Sequence, residues 1–412
     1  MPNRSRTIVV AGAGIGGLTA ALALAEAGFR VVVLDQAERL EQTGAGLQLS
    51  PNAARILLAL RLRERLEPTI VAPTAIRIMA ANGKEILRVP LGEQAERRYG
   101  APYWVIHRGD LHAALLAAAL DHPDISLALG RKVDAFAIHS NGVTVHATHR
   151  GVTAETVGVA LVGADGLWSS VRAGLAGDGP PRFADRIAWR ATVPAEAVAS
   201  EFRAPLVQLW LGGDSHIVHY PVNAGRTINI VAIAQDTWRQ PGWSLASEPA
   251  EVLARFSDRS WSPQPRALLA ASTSWLKWAL FDRPPLRHWG RGPVTLLGDA
   301  AHPMLPFLAQ GAAMAIEDAA VLTACIGPAV TATTTSIATA MRNYEAKRRP
   351  RTADIQRGAR INATLYHLRG PPAHLRNLAL ATTGGDRFLR RYDWLYTWQP
   401  PEIVPANPSH AL

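Results

Sequence analysis

The chain has 412 residues, of which 48% are hydrophobic and 18% are charged, and its formal net charge at pH 7 is +10. This composition excludes a mainly disordered chain, and the length allows two or three domains with sizeable cores. A single cysteine, Cys325, excludes an intramolecular disulfide framework and a thiolate-rich metal site. No apolar run approaches the roughly 20 residues of a membrane-spanning helix, and the N-terminus lacks signal-peptide features. We therefore predict a cytoplasmic protein without a membrane span.

The charge pattern favours small anionic ligands over nucleic acid. The sequence pI is near 10.3, but all except four of the 43 basic residues are arginines, and they are spread along the whole chain. Neither a zinc-finger spacing nor an RNA-recognition signature accompanies them. A positive field that attracts anions accounts for this charge, so we predict no nucleic-acid partner.

The first 35 residues predict one β-α-β unit. Thr7–Ala11 and Val31–Leu34 are short apolar runs typical of buried parallel strands. Between them, Leu18–Ala27 is rich in alanine and leucine, and Gly28 ends the predicted helix. The unit is typical of the start of a doubly wound α/β sheet.

A glycine fingerprint connects the first strand to the helix. Gly12, Gly14 and Gly17 form the pattern G-x-G-x-x-G, which permits a tight turn, close approach of a pyrophosphate and close helix–strand packing. The helix N-terminus favours that anion, and Asp35 after the second strand can accept hydrogen bonds from a ribose diol. The pattern predicts a dinucleotide site without separating NAD from FAD. The sequence contains no second such pattern after a strand.

The middle of the chain changes character. Leu111–Leu120 is a predicted helix, and Val157–Val162 is predicted to be one continuous apolar strand. Between about 181 and 285, alternating polar and apolar residues indicate a sheet with one more polar face. Ala75–Val89 is a shorter strand-like stretch that could pair with the same sheet.

The last third returns to buried parallel structure. Val294–Leu297 is a predicted strand, a helix is predicted from about Gln310, and another covers about Ala338–Arg360. The two kinds of structure alternate along the chain. We therefore expect discontinuous, interleaved domains.

Two later motifs carry a family resemblance. The segment Gly163-Ala164-Asp165-Gly166 resembles the Asp-Gly motif of single-component FAD-dependent aromatic hydroxylases, and Gly298-Asp299 resembles their Gly-Asp motif. The helix segment Ala309–Ala319 and the segment from Tyr344 to Arg351 also match, in the same order along the chain. Within that family, the chain resembles salicylate hydroxylase, 3-hydroxybenzoate 6-hydroxylase and 6-hydroxynicotinate 3-monooxygenase.

The resemblance implies an α/β fold. A Rossmann-like FAD-binding domain would be interleaved with a β-sheet substrate domain, in the manner of hydroxybenzoate hydroxylase, and followed by a helical C-terminal segment. The FAD-binding parts would be residues 1–74, 101–180 and 286–365. The substrate domain would comprise 75–100 and 181–285, and the C-terminal segment 366–412.

The resemblance also implies the chemistry. FAD would be the cofactor, NADH or NADPH the reductant, and O2 the oxidant, with oxygen transferred from a flavin C4a-hydroperoxide. The substrate would be a small phenol or hydroxylated heteroaromatic, with a carboxylated phenol as the leading class. A homodimer is one assembly that such an enzyme could form.

Several residues gain cofactor roles from the resemblance. Asp299 would accept hydrogen bonds from the ribityl chain, and the helix opened by Gly311, Ala312 and Ala313 would face the flavin N1–C2=O edge, where its dipole favours negative charge. Arg108 would contact FAD, and Asp165 would lie near the pyrophosphate and assist the use of reduced nicotinamide. The alternatives are a helix N-cap for Asp299, a surface arginine for Arg108 and a turn residue for Asp165.

The substrate side departs from the relatives at two positions. The loop Gly44–Asn52 resembles the one that passes the isoalloxazine, but Gln48 stands where the hydroxynicotinate enzyme has a histidine base. Pro306 stands where the 3-hydroxybenzoate enzyme has a glutamine. We still expect Gln48 and Pro306 to line the substrate pocket, while a simple transfer of either substrate is weakened.

His219 and Tyr220 are the candidate catalytic residues. They lie in a strand that approaches the substrate in relatives, and because they are adjacent they should face opposite sides of it. We predict that His219 is the acid–base group, because an unperturbed imidazole titrates near neutral pH. The alternatives are a core histidine for His219 and a packing aromatic for Tyr220.

Other interpretations remain open. The enzyme could act on a larger quinone-like substrate or be a flavin oxidoreductase that does not insert oxygen, or the chain could be a flavin-free dehydrogenase. From another class, it could be a flavin-bound redox sensor or a nucleic-acid-binding flavoprotein. His302 lacks the spacing of a metal site and is expected to be structural, so no metal is predicted. Lys347–Arg351 is expected to form a solvated charged face.

Overall fold

The structure is a computed structural model that describes residues 6–40, 45–239, 245–257, 260–329 and 334–401. The strands are β1 (Thr7–Ala11), β2 (Arg30–Leu34), β3 (Gly46–Leu49), β4 (Ala75–Ala80), β5 (Glu85–Pro90), β6 (Trp104–His107), β7 (Ile125–Ala128), β8 (Lys132–His139), β9 (Gly142–His149), β10 (Val152–Gly158), β11 (Ala160–Gly163), β12 (Arg182–Pro194), β13 (Leu206–Leu211), β14 (Ser215–Val222), β15 (Thr227–Gln235), β16 (Leu245–Ser247), β17 (Trp275–Asp282) and β18 (Val294–Leu296).

The helices are α1 (Ile15–Glu26), α2 (Pro51–Ala59), α3 (Arg63–Leu66), α4 (Gly92–Tyr99), α5 (Arg108–Asp121), α6 (Ser170–Ala176), α7 (Pro249–Arg255), α8 (Pro263–Ala270), α9 (Gly311–Ile326), α10 (Thr334–Tyr366), α11 (Gly370–Thr383), α12 (Gly385–Arg390) and α13 (Asp393–Tyr396). Short 3-10 turns cover Ala195–Ala197, Ser200–Phe202, Gly298–Ala300, Pro306–Leu308 and Gly327–Ala329.

A parallel sheet forms the first layer. Its strand order is β18-β11-β1-β2-β7, and every neighbouring pair is parallel. The strands are almost uniformly apolar because elements cover both faces, and Ile8, Val9 and Val10 in β1 are fully buried. Helix α1 packs against α5 and α9. The predicted Rossmann-like α/β unit is confirmed, with α1 starting at Ile15 rather than at Leu18.

A larger mixed sheet forms the second layer. Its order is β16-β17-β12-β15-β14-β13-β4-β5, and its pairs are antiparallel except β13 with β4. The strands come from two stretches of chain, 75–90 and 182–282, with other elements between them. The stretch Ala75–Val89 therefore pairs with this sheet. The bounds of the six domain segments drawn from the sequence stay a prediction.

The prediction of one continuous strand at Val157–Val162 is wrong. The chain there belongs to two sheets: β10 pairs with β9 in a three-stranded antiparallel sheet, and β11 enters the parallel sheet beside β1. Val157 is 64% exposed, whereas Leu161 is fully buried. Between the two strands, a Cβ atom on Gly158 would lie 2.8 Å from the Thr7 carbonyl oxygen. An apolar run alone did not reveal this change of sheet.

The prediction that Lys347–Arg351 forms a solvated charged face is also wrong for Arg348. Arg348 is 1% exposed and forms 2.6 Å ion pairs with Glu317 and Asp318, which are fully buried on α9. Burial raises the pKa of Asp318, but His302 and Arg348 outweigh it and lower this pKa to about 2. His302, expected to be structural, hydrogen-bonds to Asp318 at 2.5 Å. The paired charges therefore join α10 to α9 behind the parallel sheet.

The described part of the C-terminal segment, up to residue 401, is mainly helical, as predicted. Helix α13 packs on α2, and α12 packs on β5. The ring of Tyr396 meets Tyr99 and Tyr103 edge-on, with ring centroids 5.3 and 6.1 Å apart. The end of the described chain therefore supports Tyr103, which hydrogen-bonds to Gln48 in the wall of the cavity described next.

Candidate active site

A cavity of about 1230 Å³ lies between the parallel sheet and the mixed sheet. On one side it meets the residues at and after the carboxyl ends of β1, β2, β11 and β18, where open α/β sheets bind their ligands. On the other side it meets one face of β12, β14 and β15. Predicted site residues along its wall are Gly12, Gly14, Asp35, Gln48, Arg108, Asp165, Tyr220, Asp299, Pro306, Gly311 and Ala312.

The three positions of the fingerprint require glycine for different physical reasons. Gly12 has φ +103°, and a Cβ atom there would lie 2.4 Å from the Ala164 carbonyl oxygen. A Cβ atom on Gly17 would lie 1.9 Å from the Gly12 carbonyl oxygen. A Cβ atom on Gly14 would meet no protein atom within 4 Å, although Gly14 lines the cavity. The protein itself needs the first and third glycines, whereas the second leaves space for a ligand, which fits a dinucleotide pyrophosphate.

The Asp35 carboxylate is held at the cavity edge. One oxygen accepts from the Ala13 amide at 2.7 Å, and the other accepts from the Ala37 amide at 2.8 Å. Each carboxylate oxygen has a further lone pair, so both can also accept from a diol. This geometry fits the predicted ribose contact and fixes the orientation of the acid.

Asp299 projects into the cavity from a 3-10 turn. Its neighbours in the turn are buried, whereas the Asp299 side chain is exposed. This exposed surface faces the cavity. Burial raises the pKa of Asp299, while His302 and Arg108 oppose this effect. The turn contains no side-chain cap from Asp299, and Gln310 occupies the N-cap of α9. The N-cap alternative is therefore excluded, and the carboxylate is available to a ligand hydroxyl.

The start of α9 approaches the same space only in part. Gly311 and Ala312 line the cavity, as does Ala315 one turn later. The Ala313 side chain does not line it and is fully buried in the core, and the approach of the Ala313 backbone N–H to the cofactor stays a prediction. The helical period turns Ala313 inward when Ala312 and Ala315 face the cavity.

Asp165 lies at the cavity wall but is occupied by its own chain. It accepts a hydrogen bond from the Ser169 hydroxyl and another, at 3.1 Å, from the Val171 amide at the start of α6. Burial raises its pKa, and these hydrogen bonds oppose that rise. The structure therefore gives Asp165 the turn role that was its alternative, and a cofactor role stays a prediction.

His219 does not face the cavity. Its ring packs against Phe202 edge-on and Trp210 in a stacked arrangement, with centroids 5.3 and 6.4 Å apart, on the opposite side of β14. It is fully buried, and neither ring nitrogen has a hydrogen-bond partner among the described residues. Burial and the nearby Arg77 lower the pKa of His219 to about 3. The predicted acid–base role is corrected accordingly, because an enclosed neutral imidazole outside the cavity cannot meet a substrate there.

Tyr220 and its alternate neighbours on β14 face the cavity instead. Tyr220, Val218 and His216 all line it, as the two-residue period of a strand requires. His216 was not selected from the sequence. Applying the same period to Tyr220 would have found it.

Gln48 lines the cavity beside Tyr220 and is itself held by a hydrogen bond. Its Oε1 accepts from the Tyr103 hydroxyl at 2.6 Å, and its side chain lies near enough to Tyr220 to lower the pKa of that phenol. Burial raises the pKa of Tyr220 well above its ordinary value, and Arg190 and Gln48 oppose that effect only in part. Tyr220 therefore stays protonated near neutral pH and offers a hydroxyl to the cavity. Gly44, in the loop before Gln48, lies outside the described residues.

Arg190 is a charged residue of the mixed-sheet wall of the cavity that the sequence did not indicate. It lies on β12, which is separated from β14 by β15. Arg190 pairs with Val231 on β15, and Val231 pairs with Val218 on β14. Its guanidinium carbon stacks 4.3 Å from the Trp278 ring centroid, and its buried Nε has no acceptor in the described part of the chain. Burial and Arg108 lower the pKa of Arg190 to about 10, and Tyr220 opposes them. The side chain is therefore a cation at neutral pH.

Two other classes of site are not seen. Among the described residues, no group of three or more His, Cys, Asp or Glu side chains could hold a metal ion. No helix in the described ranges combines the length and apolar character needed to cross a membrane.

A family model described as "FAD binding domain" matches residues 5–359. The chain is 37% identical over 391 residues to 3-hydroxybenzoate 6-hydroxylase 1 of Aquipseudomonas alcaligenes, covering 94% of this chain and 97% of that protein. It is 38% identical over 398 residues to 3-amino-4-hydroxybenzoate 2-monooxygenase of Streptomyces cremeus, covering 96% of each.

Solved structures agree with this relationship. Klebsiella pneumoniae HpxO complexed with FAD and uric acid matches with a TM-score of 0.79 and 26% identity, covering 95% of this chain and 96% of that one. A salicylate hydroxylase substrate complex matches the fold with a TM-score of 0.80 at 24% identity, covering 97% and 99%. The glycine cradle, Asp35 and the open Asp299 carboxylate fit the same cofactor. The chain therefore belongs to the FAD-binding-domain family and is a flavin-dependent aromatic monooxygenase.

Proposed function

We propose that this enzyme hydroxylates a small aromatic ring that carries both a hydroxyl group and a carboxylate. The single observation that carries the carboxylate is Arg190, a cation on the cavity wall whose Nε has no acceptor within the described ranges. The named relatives that act on hydroxybenzoates support this substrate class. NADH or NADPH is the proposed reductant, a homodimer the proposed assembly and the cytoplasm the proposed location.

The energetics favour an anionic ligand at Arg190. A buried donor without an acceptor costs about 1–3 kcal/mol, and more when it is charged. Trp278 covers one face of the guanidinium and leaves its N–H edge for a ligand. A carboxylate can accept two parallel hydrogen bonds from that edge, and a neutral amide cannot.

The remaining wall fits the ring and its hydroxyl. Two strand spacings, roughly 10 Å, separate the backbone at Arg190 from that at Val218. A benzoate ring together with the side chains can bridge this distance. Val218, Val231 and Ile233 provide an apolar surface, and Tyr220 and His216 provide polar groups beside it.

Each residue then has a limited task in the reaction. FAD, when bound, supplies the redox chemistry by which one oxygen atom of O2 reaches the ring. Arg190 holds the carboxylate and so fixes which ring carbon is presented. Tyr220 and His216 contact the ring oxygen, and the apolar strip excludes water from the reacting atoms.

The test compares two ligands in two variants. FAD-loaded wild type, Arg190→Met and Arg190→Lys are titrated with 3-hydroxybenzoate and with its neutral counterpart 3-hydroxybenzamide, following the flavin absorbance. We expect Arg190→Met to weaken 3-hydroxybenzoate binding by about 10- to 100-fold, the effect of a lost hydrogen bond to a charged group, with little change for the amide. Arg190→Lys should recover part of the loss, because it keeps the charge without the planar fork.

Two results would contradict the proposal. Equal loss for both ligands in Arg190→Met would show that Arg190 supports the cavity rather than a carboxylate. Wild-type enzyme that binds neither ligand, and consumes no extra reduced nicotinamide with either, would refute this substrate class.

A further inference from the structure

A chain of three nitrogen-bearing side chains leads from the protein interior to the cavity. Arg186 Nε on β12 donates to His367 Nδ1 at 3.2 Å. His367, which directly follows α10, has its Nε2 2.8 Å from His216 Nδ1. His216 is 2% exposed and lines the cavity, so its other ring nitrogen, Nε2, is the one available to a ligand.

The protons in this chain have one consistent arrangement. An arginine side chain can only donate, so His367 Nδ1 must be the bare, accepting nitrogen. A neutral imidazole then carries its proton on Nε2, and His367 donates to His216 Nδ1. His216 Nδ1 is thereby an acceptor, and the proton of neutral His216 is on Nε2.

The surroundings keep both rings neutral. Burial, His367 and Arg186 lower the pKa of His216 well below its ordinary value. Burial, Arg186 and Arg376 lower the pKa of His367 to about 3. Among the described residues, the other rings in contact with His216 are those of Phe307 and Tyr366, and neither is a carboxylate.

We propose that Arg186, acting through His367, fixes His216 as the Nε2–H tautomer, so that His216 donates a hydrogen bond to the substrate's ring oxygen and cannot take its proton. His367 and Arg186 are positioning residues in this scheme. The tautomer follows from the side-chain geometry together with the neutrality of both rings, whereas the substrate contact rests on the proposed function.

This assignment has a direct chemical consequence. A donor from His216 stabilises the ring oxygen most when that oxygen is a phenolate, because hydrogen bonds to charged groups are the stronger ones. The phenolate is also the form of the ring that reacts best with an electrophilic oxygen donor. His216 would therefore favour the reactive ionisation state of the substrate without itself changing charge.

The test uses two nearly isosteric replacements of His367. In His367→Gln, the amide oxygen can accept from Arg186 and the amide N–H can donate to His216, so the tautomer should be kept. In His367→Glu, both carboxylate oxygens are acceptors, one for Arg186 and one for His216, so His216 should move its proton to Nδ1. Arg186→Met removes the donor that sets the order, and a mixture of tautomers is expected.

The first readout is independent of any substrate. FAD-loaded protein labelled with ¹⁵N-histidine reports the tautomer by two-bond nitrogen–proton correlations, and the His216 signals are identified by their loss in His216→Gln. We expect Nε2–H for wild type and His367→Gln, unchanged between about pH 6 and 9, and Nδ1–H for His367→Glu. A wild-type signal with the proton on Nδ1, or a His216 that titrates in this range, would overturn the proposal.

The second readout is ligand affinity. We expect His367→Glu to bind 3-hydroxybenzoate about 10- to 100-fold more weakly than wild type, and His367→Gln to stay within a few-fold of it. Benzoate, which lacks the ring hydroxyl, is the control for simple charge repulsion and should bind both variants alike. If Glu and Gln variants bind 3-hydroxybenzoate equally although their tautomers differ, His216 does not contact the ring oxygen. If wild type binds no hydroxybenzoate while the tautomers are as expected, only the proposed function fails.

Discussion

Replacing His219 by leucine should make the enzyme less sensitive to acid. The imidazole is fully buried, its two nitrogens have no partner among the described residues, and its pKa is lowered from 6.5 to about 3. Leucine has a similar volume and suits the apolar contacts with Phe202 and Trp210. The substitution therefore removes a titratable group while keeping most of the packing.

The magnitude follows from linkage between protonation and folding. A histidine that is harder to protonate in the folded state contributes its full stability above the unfolded pKa of about 6.5, and loses it as the pH falls towards the folded pKa of about 3. Each pH unit in this window costs about 1.4 kcal/mol. Near pH 5, protonation of the unfolded chain at His219 should lower the free energy of unfolding by about 2 kcal/mol.

Urea unfolding of FAD-saturated wild type and His219→Leu near pH 8 and near pH 5 measures this effect. The stability difference between the two proteins should shift by about 2 kcal/mol in favour of the variant at the lower pH, and the other titrating groups cancel because both proteins share them. Product formed per nicotinamide oxidised should not change. An unshifted stability difference, or strong uncoupling in His219→Leu, would refute the position given to His219.

Three cavity substitutions, with Gly17→Ala as a control for the first, give further tests. Gly14→Val should abolish stoichiometric FAD binding without loss of fold, as read from flavin absorbance and circular dichroism, whereas Gly17→Ala should destabilise the protein itself because its Cβ meets backbone. Asp299→Asn should weaken FAD retention and leave the urea midpoint of the flavin-free protein unchanged, since its carboxylate caps no helix; a large shift of that midpoint would argue against a ligand role. Tyr220→Phe should lower coupling of nicotinamide oxidation to hydroxylation by about 10-fold or more, and fully coupled turnover would exclude its hydroxyl from the reaction.

The sequence was sufficient for features set by local backbone requirements. The glycine pattern, the two flanking strands and Asp35 lie within one short segment, and their spacing carries its own physical reason. It was insufficient where a choice between two faces was needed. The rule that His219 and Tyr220 face opposite sides was right, but nothing local says which side meets the cavity, because that depends on how the mixed sheet packs against β1 and its neighbours.

Buried charged residues were the second feature that the sequence could not predict. Arg348 and Arg190 both read as ordinary arginines of a basic chain. One is enclosed by two carboxylates of α9, and the other lies beside Trp278 with its Nε unmatched. A composition cannot separate these environments, since burial and pairing arise from contacts between distant segments.

The polar groups of the cavity are themselves oriented over long distances in sequence. Gln48 is fixed by Tyr103, 55 residues away, and His216 by His367, 151 residues away. Tyr103 in turn packs on Tyr396 near the end of the described chain. In both cases the group that meets the ligand is local to a recognisable strand, whereas the group that decides whether it donates or accepts is not. A relative that keeps Gln48, His216 and Tyr220 but changes Tyr103 or His367 would therefore present different donors to the same ring, which is why substrate choice in such an enzyme depends on residues that no site motif contains.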